Sequence, residues 1–454
     1  MTVDNVGLGI AGLARAFDAE ETTSVTATET YLNRIDAENA ALNAFITVLD
    51  ESALKEAAAS DDRRAKNKTR SPLDGVPIAL KDNIDVAGVP TTGGIEAYRK
   101  TIPDQDADVV RRLRDAGAVI LGKLNMHEGA HGATTANEAY GYCQNPHKPG
   151  FTPGGSSGGS GAALAAGLCA GALGTDTLGS VRIPASFCGI AGLKPTYGLV
   201  STRGVMPLAY ALDHVGPMAR SCEDLTLMLT AMAGFDADDP AGRHGPTNFS
   251  AARDTSESLA GLKIGYFTDL NKINVDTIDP AVSVAYSKSV DRLRDLGATL
   301  EAVTWDGYDP AFVRPKAILL IEADLANIHM NMLDDNPGGF TELFRSGIDF
   351  GLAQSAPKLA KALRIIEQVR PVARRLFSSM DALVTPTTPV PAFSFDAAMP
   401  RTITTFTAFA NYAGCPALSV PMGKTEDGLP LGLQVVTPKR EEATALRIGS
   451  AFER

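Results

Sequence analysis

Twice in this chain a helical run is closed by one glycine and followed at once by a short apolar strand. Residues 108–116 carry Val109, Val110 and Leu113 at helical spacing, Gly117 closes the run, and 118–121 reads as strand. Residues 279–296 open with Pro280 near the start, stop at Gly297, and lead into 299–303. A glycine just past a helix end takes the left-handed conformation that stops the helix without a Cβ clash. A sheet covered by helices on both faces is the architecture this alternation builds. Further strands are expected at 76–80, with Lys81 at the end, and at 262–267, 382–384, 417–420 and 431–436. The expected class is α/β, with a central mixed, mostly parallel β-sheet.

The rest of the chain is read as one domain over 1–454. Residues 1–60 are expected to be helical and 60–71 a loop. Residues 70–220 form the chemically dense core, and 310–380 are mostly helical, with Pro371 kinking or dividing the last helix. Residues 162–172 read as a close-packed helix, and 236–258 as the longest loop. With 454 residues and 44% hydrophobic content, a large core is available. The formal net charge is −11, and no lysine/arginine stripe stands out, which argues against a nucleic-acid partner. Five cysteines without paired or metal-ligand spacing fit a reducing compartment. Neither a signal peptide from Met1 onward nor a membrane-length apolar run is seen, so the expectation is cytoplasmic, with no membrane partner.

Two stretches join glycines to serines: Gly154-Gly155-Ser156-Ser157-Gly158-Gly159-Ser160 and Gly174-Thr175-Asp176-Thr177-Leu178-Gly179-Ser180. Glycine lets backbone approach a ligand closely, and a serine hydroxyl can attack a carbonyl or relay a proton. Rival motifs are weaker. His127-Glu128-Gly129-Ala130-His131 matches HExxH, but Gly129 weakens the helix that a zinc site needs, and no third ligand follows at a recognisable spacing. Gly155-Ser156-Ser157-Gly158-Gly159 matches GxSxG, yet loop composition rather than a strand precedes it. SxxK occurs at both 52–55 and 355–358 without its companion elements. No phosphate-binding glycine motif is complete. A lysine at an apolar strand end, such as Lys81, can be desolvated so that its neutral amine serves as a base.

Together these residues resemble the amidase signature family. The likeness rests on the two glycine/serine stretches, Gly179-Ser180-Val181-Arg182-Ile183-Pro184-Ala185, Cys188-Gly189, Gly192-Leu193-Lys194-Pro195-Thr196 and Pro77-Ile78-Ala79-Leu80-Lys81-Asp82-Asn83. It runs from about residue 25 to the end and is densest between 70 and 220. It implies a metal-free, cofactor-free amidase acting on a small-molecule amide and water. Carried over by position, Ser180 is the nucleophile, Ser156 the bridging serine, usually held with a cis peptide, and Lys81 the general base. Backbone N–H groups of Thr177, Leu178, Gly179 and Ser180 are the expected oxyanion hole. Ser157 is expected to orient the network, and Asp176 and Arg182 to brace the loop as an ion pair.

This chain has Leu178 where many members have glycine, and its side chain is expected at the site wall or narrowing the acyl pocket. Family pockets draw on variable segments, here 126–133, 203–213 and 310–375. Met126, His131, Met206 and Tyr210 are the substrate-facing candidates. The resemblance also allows a homodimer. It offers an alternative too, a glutamine-amidase component of a tRNA-dependent amidotransferase complex, with Arg203 as candidate cation for the glutamine carboxylate.

Overall fold

The computed structural model describes residues 4–249, 258–273 and 278–454. Eleven strands form one mixed sheet: β1 (Phe45–Val48), β2 (Pro77–Lys81), β3 (Val119–Leu124), β4 (Gly171–Thr175), β5 (Ala191–Lys194), β6 (Val215–Ala219), β7 (Lys263–Tyr266), β8 (Thr299–Ala302), β9 (Ala382–Pro386), β10 (Ala417–Lys424) and β11 (Pro430–Val436). Their spatial order is β1-β3-β2-β4-β6-β5-β10-β11-β9-β7-β8. Helices flank the sheet.

The large mixed sheet matches the expected class, but parallel pairs do not predominate. Six of the ten pairings are antiparallel and four parallel. The helix–glycine–strand units make the parallel flanks, because α4 (Asp108–Asp115) leads into β3 and α8 (Pro280–Asp295) into β8. Gly117 and Gly297 both take φ of +94°. The middle of the sheet is antiparallel. There β5 and β6 are short, carry glycine or proline, and are buried along their whole length, so no alternation marks them.

Local expectations need three further corrections. The N-terminal region holds α1 (Gly9–Asp18), α2 (Ser24–Leu42) and α3 (Asp50–Ala65), but β1 interrupts them. Helix α3 runs into the expected loop because Ala53, Ala57 and Ser60 form one buried face. Helix α5 (Gly158–Ala165) begins earlier than the alanine run suggests, and β4 takes residues 171–175. Poor helix formers open α5 because close packing demands them: a Cβ on Gly159 would lie 2.3 Å from the Asn125 carbonyl oxygen. Residues 1–3, and 250–257 of the expected loop, lie outside the described residues, while 236–249 contain no helix or strand.

The 310–380 region folds as α9 (Pro310–Asp335), α10 (Glu342–Leu352), α11 (Ala356–Glu367) and α12 (Val369–Leu376). The last break falls at Gln368, and Pro371 lies inside α12. One basic stripe does exist here: residues 356–376 hold six basic side chains and one acidic. Among the described residues no helix is long and apolar enough to cross a membrane.

Two features position the site. Strands β2 and β4 pair in parallel, Leu80 against Leu173, so the residues at their C-terminal ends, Lys81 and Thr175, come side by side. The turn after β4 then enters α6 (Arg182–Cys188). Ligand sites in α/β sheets gather at such carboxyl ends.

Candidate active site

Lys81 is fully buried at the end of β2. Its Nζ donates to Ser156 Oγ at 2.7 Å and to Thr175 Oγ1 at 2.7 Å. Burial pushes the ammonium down to about 7, against the opposite pull of Asp213 and Asp176. A lysine held there offers neutral amine at ordinary pH. Ser156 follows a cis peptide to Gly155, and its hydroxyl is buried beside the lysine.

Ser180 ends the turn after β4 and is partly exposed. Its carbonyl accepts the Ser157 N–H at 3.3 Å, and its hydroxyl has no hydrogen-bond partner among the described residues. Ser157 Oγ donates to the Thr175 carbonyl at 3.2 Å and accepts the Thr175 N–H at 3.3 Å. It thereby ties the first serine loop to the strand that carries the second.

Asp176 and Arg182 are both fully buried and pair through two bonds, Nε to Oδ2 at 2.9 Å and Nη2 to Oδ1 at 2.8 Å. Burial alone would raise the Asp176 pKa, but Arg182, Lys194 and Asn411 hold it well below the carboxylate range. The remaining guanidinium donors go to Thr407 O, Gln434 Oε1 and Asn411 Oδ1. The Asp176 carboxylate also accepts the N–H groups of Gly179 at 2.8 Å and Val181 at 3.2 Å. Gly179 is thus committed inside the turn and does not fit the expected oxyanion set. The N–H groups of Thr177, Leu178 and Ser180 are left without a partner among the described residues.

A family model, Amidase, matches residues 26–446. The chain belongs to the amidase signature family of hydrolases. An amidase from Pseudomonas putida is 37% identical, over 98% of this chain and 96% of its own. The catalogue of relatives also holds a glutamyl-tRNA(Gln) amidotransferase chain from Chloroflexus aggregans, 38% identical over 98% of this chain and 96% of its own. Among solved structures, the peptide amidase from Stenotrophomonas maltophilia superposes with a TM-score of 0.87 at 32% identity, covering 98% of this chain and 96% of that one.

The position where this amidase-family chain carries Leu178 does not demand glycine, because its φ is not positive. Leu178 is 8% exposed and belongs to the main apolar cluster. The left-handed demand falls one residue later: Gly179 has φ +136°, and a Cβ there would meet Thr407 Oγ1 at 2.4 Å.

The four substrate-facing candidates are distributed unevenly. Met206 is the nearest to the lysine network. Its N–H donates to the Asn83 carbonyl at 2.8 Å, its carbonyl accepts Asn83 Nδ2 at 3.1 Å, and the same Nδ2 reaches Thr175 Oγ1 at 3.2 Å. Met126 is fully buried. His131 is partly exposed and meets Glu322 of α9, Nε2 to Oε1 at 3.1 Å. Tyr210 is exposed, with its N–H on Asp324 Oδ2 at 3.2 Å. The HExxH segment is a single 3₁₀ turn broken at Gly129 (φ +56°), so its histidines share no α-helical face. Arg203 is committed to Asp236 at 2.8 Å and Asp108 at 3.4 Å.

Sequence reasoning missed Thr175, Asn83 and Asp213 as neighbours of the lysine. Asp213 accepts Thr177 Oγ1 at 2.6 Å and the Leu208 and Ala209 N–H groups at 2.7 and 2.9 Å. The pairing of β2 with β4 was the available signal for Thr175. Asn411 and Gln434, more than two hundred residues from Arg182, carried none.

Proposed function

We propose that this chain hydrolyses the C–N bond of a small-molecule carboxamide through a seryl acyl-enzyme. Lys81 acts as base, Ser156 as proton bridge and Ser180 as nucleophile. The reading rests above all on one observation: a buried lysine, pushed down to about 7, donates at 2.7 Å to the Ser156 hydroxyl. Neutral Lys81 takes the Ser156 proton while Ser156 takes that of Ser180. Ser180 Oγ then bonds to the amide carbon. Hydrogen bonds of this kind tighten as substrate binds, and the unpartnered Ser180 hydroxyl is free to turn toward Ser156. The proton returns through Ser156 to the departing nitrogen, and the C–N bond breaks. Water attacks the ester by the same relay, releasing carboxylate and free Ser180.

The unpartnered N–H groups of Thr177, Leu178 and Ser180 face this chemistry as oxyanion donors, each worth about 3–4 kcal/mol in the transition state. Asp176 and Arg182 hold the turn in shape. The relay needs no metal, so EDTA leaves activity unchanged. Met206, with Met126, His131 and Tyr210 further out, contributes to the substrate pocket. The working unit on this reading is one cytoplasmic domain that can pair with a second copy.

Hydroxylamine trapping with an aryl amide tests the covalent step. The wild-type chain is expected to yield hydroxamate with a burst of amine, and Ser180→Ala neither. A burst that survives in Ser180→Ala overturns the assignment.

The similarity to the glutamyl-tRNA(Gln) amidotransferase chain supports a second reading, release of ammonia from glutamine within a multi-chain assembly. Against it, Arg203 already serves two carboxylates. Glutaminase assay and size-exclusion chromatography of the isolated chain separate the two. Efficient turnover of simple amides without partners favours the first, and activity on glutamine only when partner chains are added favours the second.

A further inference from the structure

Far along the chain from the serine loops, α9, α10 and α11 enclose a groove of about 390 Å³. Its rim carries Lys316, Lys358 and Lys361, and its floor is Leu319, Phe350, Ala362 and Ile365. Among the described residues no carboxylate lines it, and none of the three ammonium groups forms an ion pair. Lys316 Nζ stands 4.0 Å from the Phe312 ring centroid, and Lys358 Nζ donates to Gln354 Oε1 at 2.6 Å. A second cavity, also about 390 Å³, shares Ile365 and continues past Phe312 to Trp305.

Three unneutralised cations around an apolar floor, in a chain of net charge −11, call for an anion with an apolar body. A small inorganic anion leaves the floor wet, and a neutral hydrocarbon leaves the lysines without a counter-charge. We propose that the groove binds one monomeric long-chain carboxylate. Its head lies among Lys316, Lys358 and Lys361, and its tail crosses Ile365 toward Trp305. No lining residue belongs to the lysine–serine network, so the site stands or falls independently of the proposed reaction.

Calorimetric titration of the full chain with dodecanoate, kept below its micelle concentration, tests this. Trp305, the single tryptophan, gives a parallel fluorescence readout. One dodecanoate per chain is expected, with a change in Trp305 emission, while dodecanol and acetate bind at least about tenfold more weakly. Combining Lys316→Gln, Lys358→Gln and Lys361→Gln should weaken dodecanoate by about tenfold or more, and the three Lys→Arg changes should preserve it. Ile365→Glu, which puts a like charge in the tail's path, should weaken it as well. Equal affinity for dodecanol, indifference to the glutamine variants, or association with anionic phosphatidylglycerol vesicles but not with monomeric dodecanoate would each overturn the proposal.

Discussion

The Asp176 carboxylate takes five hydrogen bonds inside a fully buried turn, whereas along α9–α11 Phe312, Met330, Leu343, Phe350, Leu352 and Leu363 stand exposed. One region is over-determined by directional bonds to partners from three distant parts of the chain. The other is held by apolar contacts on one helix face and leaves the opposite face to solvent. Chemistry that needs fixed N–H directions belongs in the first, since preorganised donors act only if their geometry is locked. Variation in what is bound fits the second, where a side chain can change without unseating a network.

The comparison breaks first, and most severely, at the reacting groups. Ser180→Ala and Lys81→Ala should each lower kcat/KM for an amide by about 10⁴-fold or more, with an unchanged circular dichroism spectrum. A loss under tenfold in either, measured on the same substrate, would remove that residue from the relay. Arg182→Met strips the buried charge from Asp176. Unfolding in urea should show a loss of about 3–5 kcal/mol, since an unpaired buried carboxylate remains. Gly179→Ala should cost about 1–3 kcal/mol, because φ +136° is hard for alanine and the new Cβ meets Thr407. Leu352→Gln, at a site 57% exposed on α10, should change stability by less than about 0.5 kcal/mol. If Leu352→Gln costs as much as Gly179→Ala, the two regions are not held differently.

The same contrast explains what is legible in the sequence alone. Gly117 and Gly297 announce their helix ends because a left-handed stop is a local demand. Lys81, Ser156 and Ser180 are legible because the glycine-rich stretches around them are long and ordered. Strand β6, Val-Gly-Pro-Met-Ala, is not legible, since its identity comes from pairing with β4 and β5 and not from its own pattern. The start of α5 is hidden for a related reason: packing against the Asn125 backbone overrides the helix preference of the alanines that follow. The Arg182 partners Thr407, Asn411 and Gln434 meet it only once the chain has folded. Leu178 departs from the common glycine of the family, yet its backbone conformation is one that any residue adopts.

The account turns on a neutral lysine as base, and the pH dependence of the acylation step tests that directly. Burial lowers the Lys81 pKa to about 7, so the amine is protonated and inactive below that value and free above it. Single-turnover acylation should therefore rise with pH through an apparent pKa near 7 and level off on the alkaline side, and Lys81→Met should abolish the rising limb along with most of the rate. A wild-type profile that is flat from about pH 5 to 10, or an identical limb in Lys81→Met, would contradict the account.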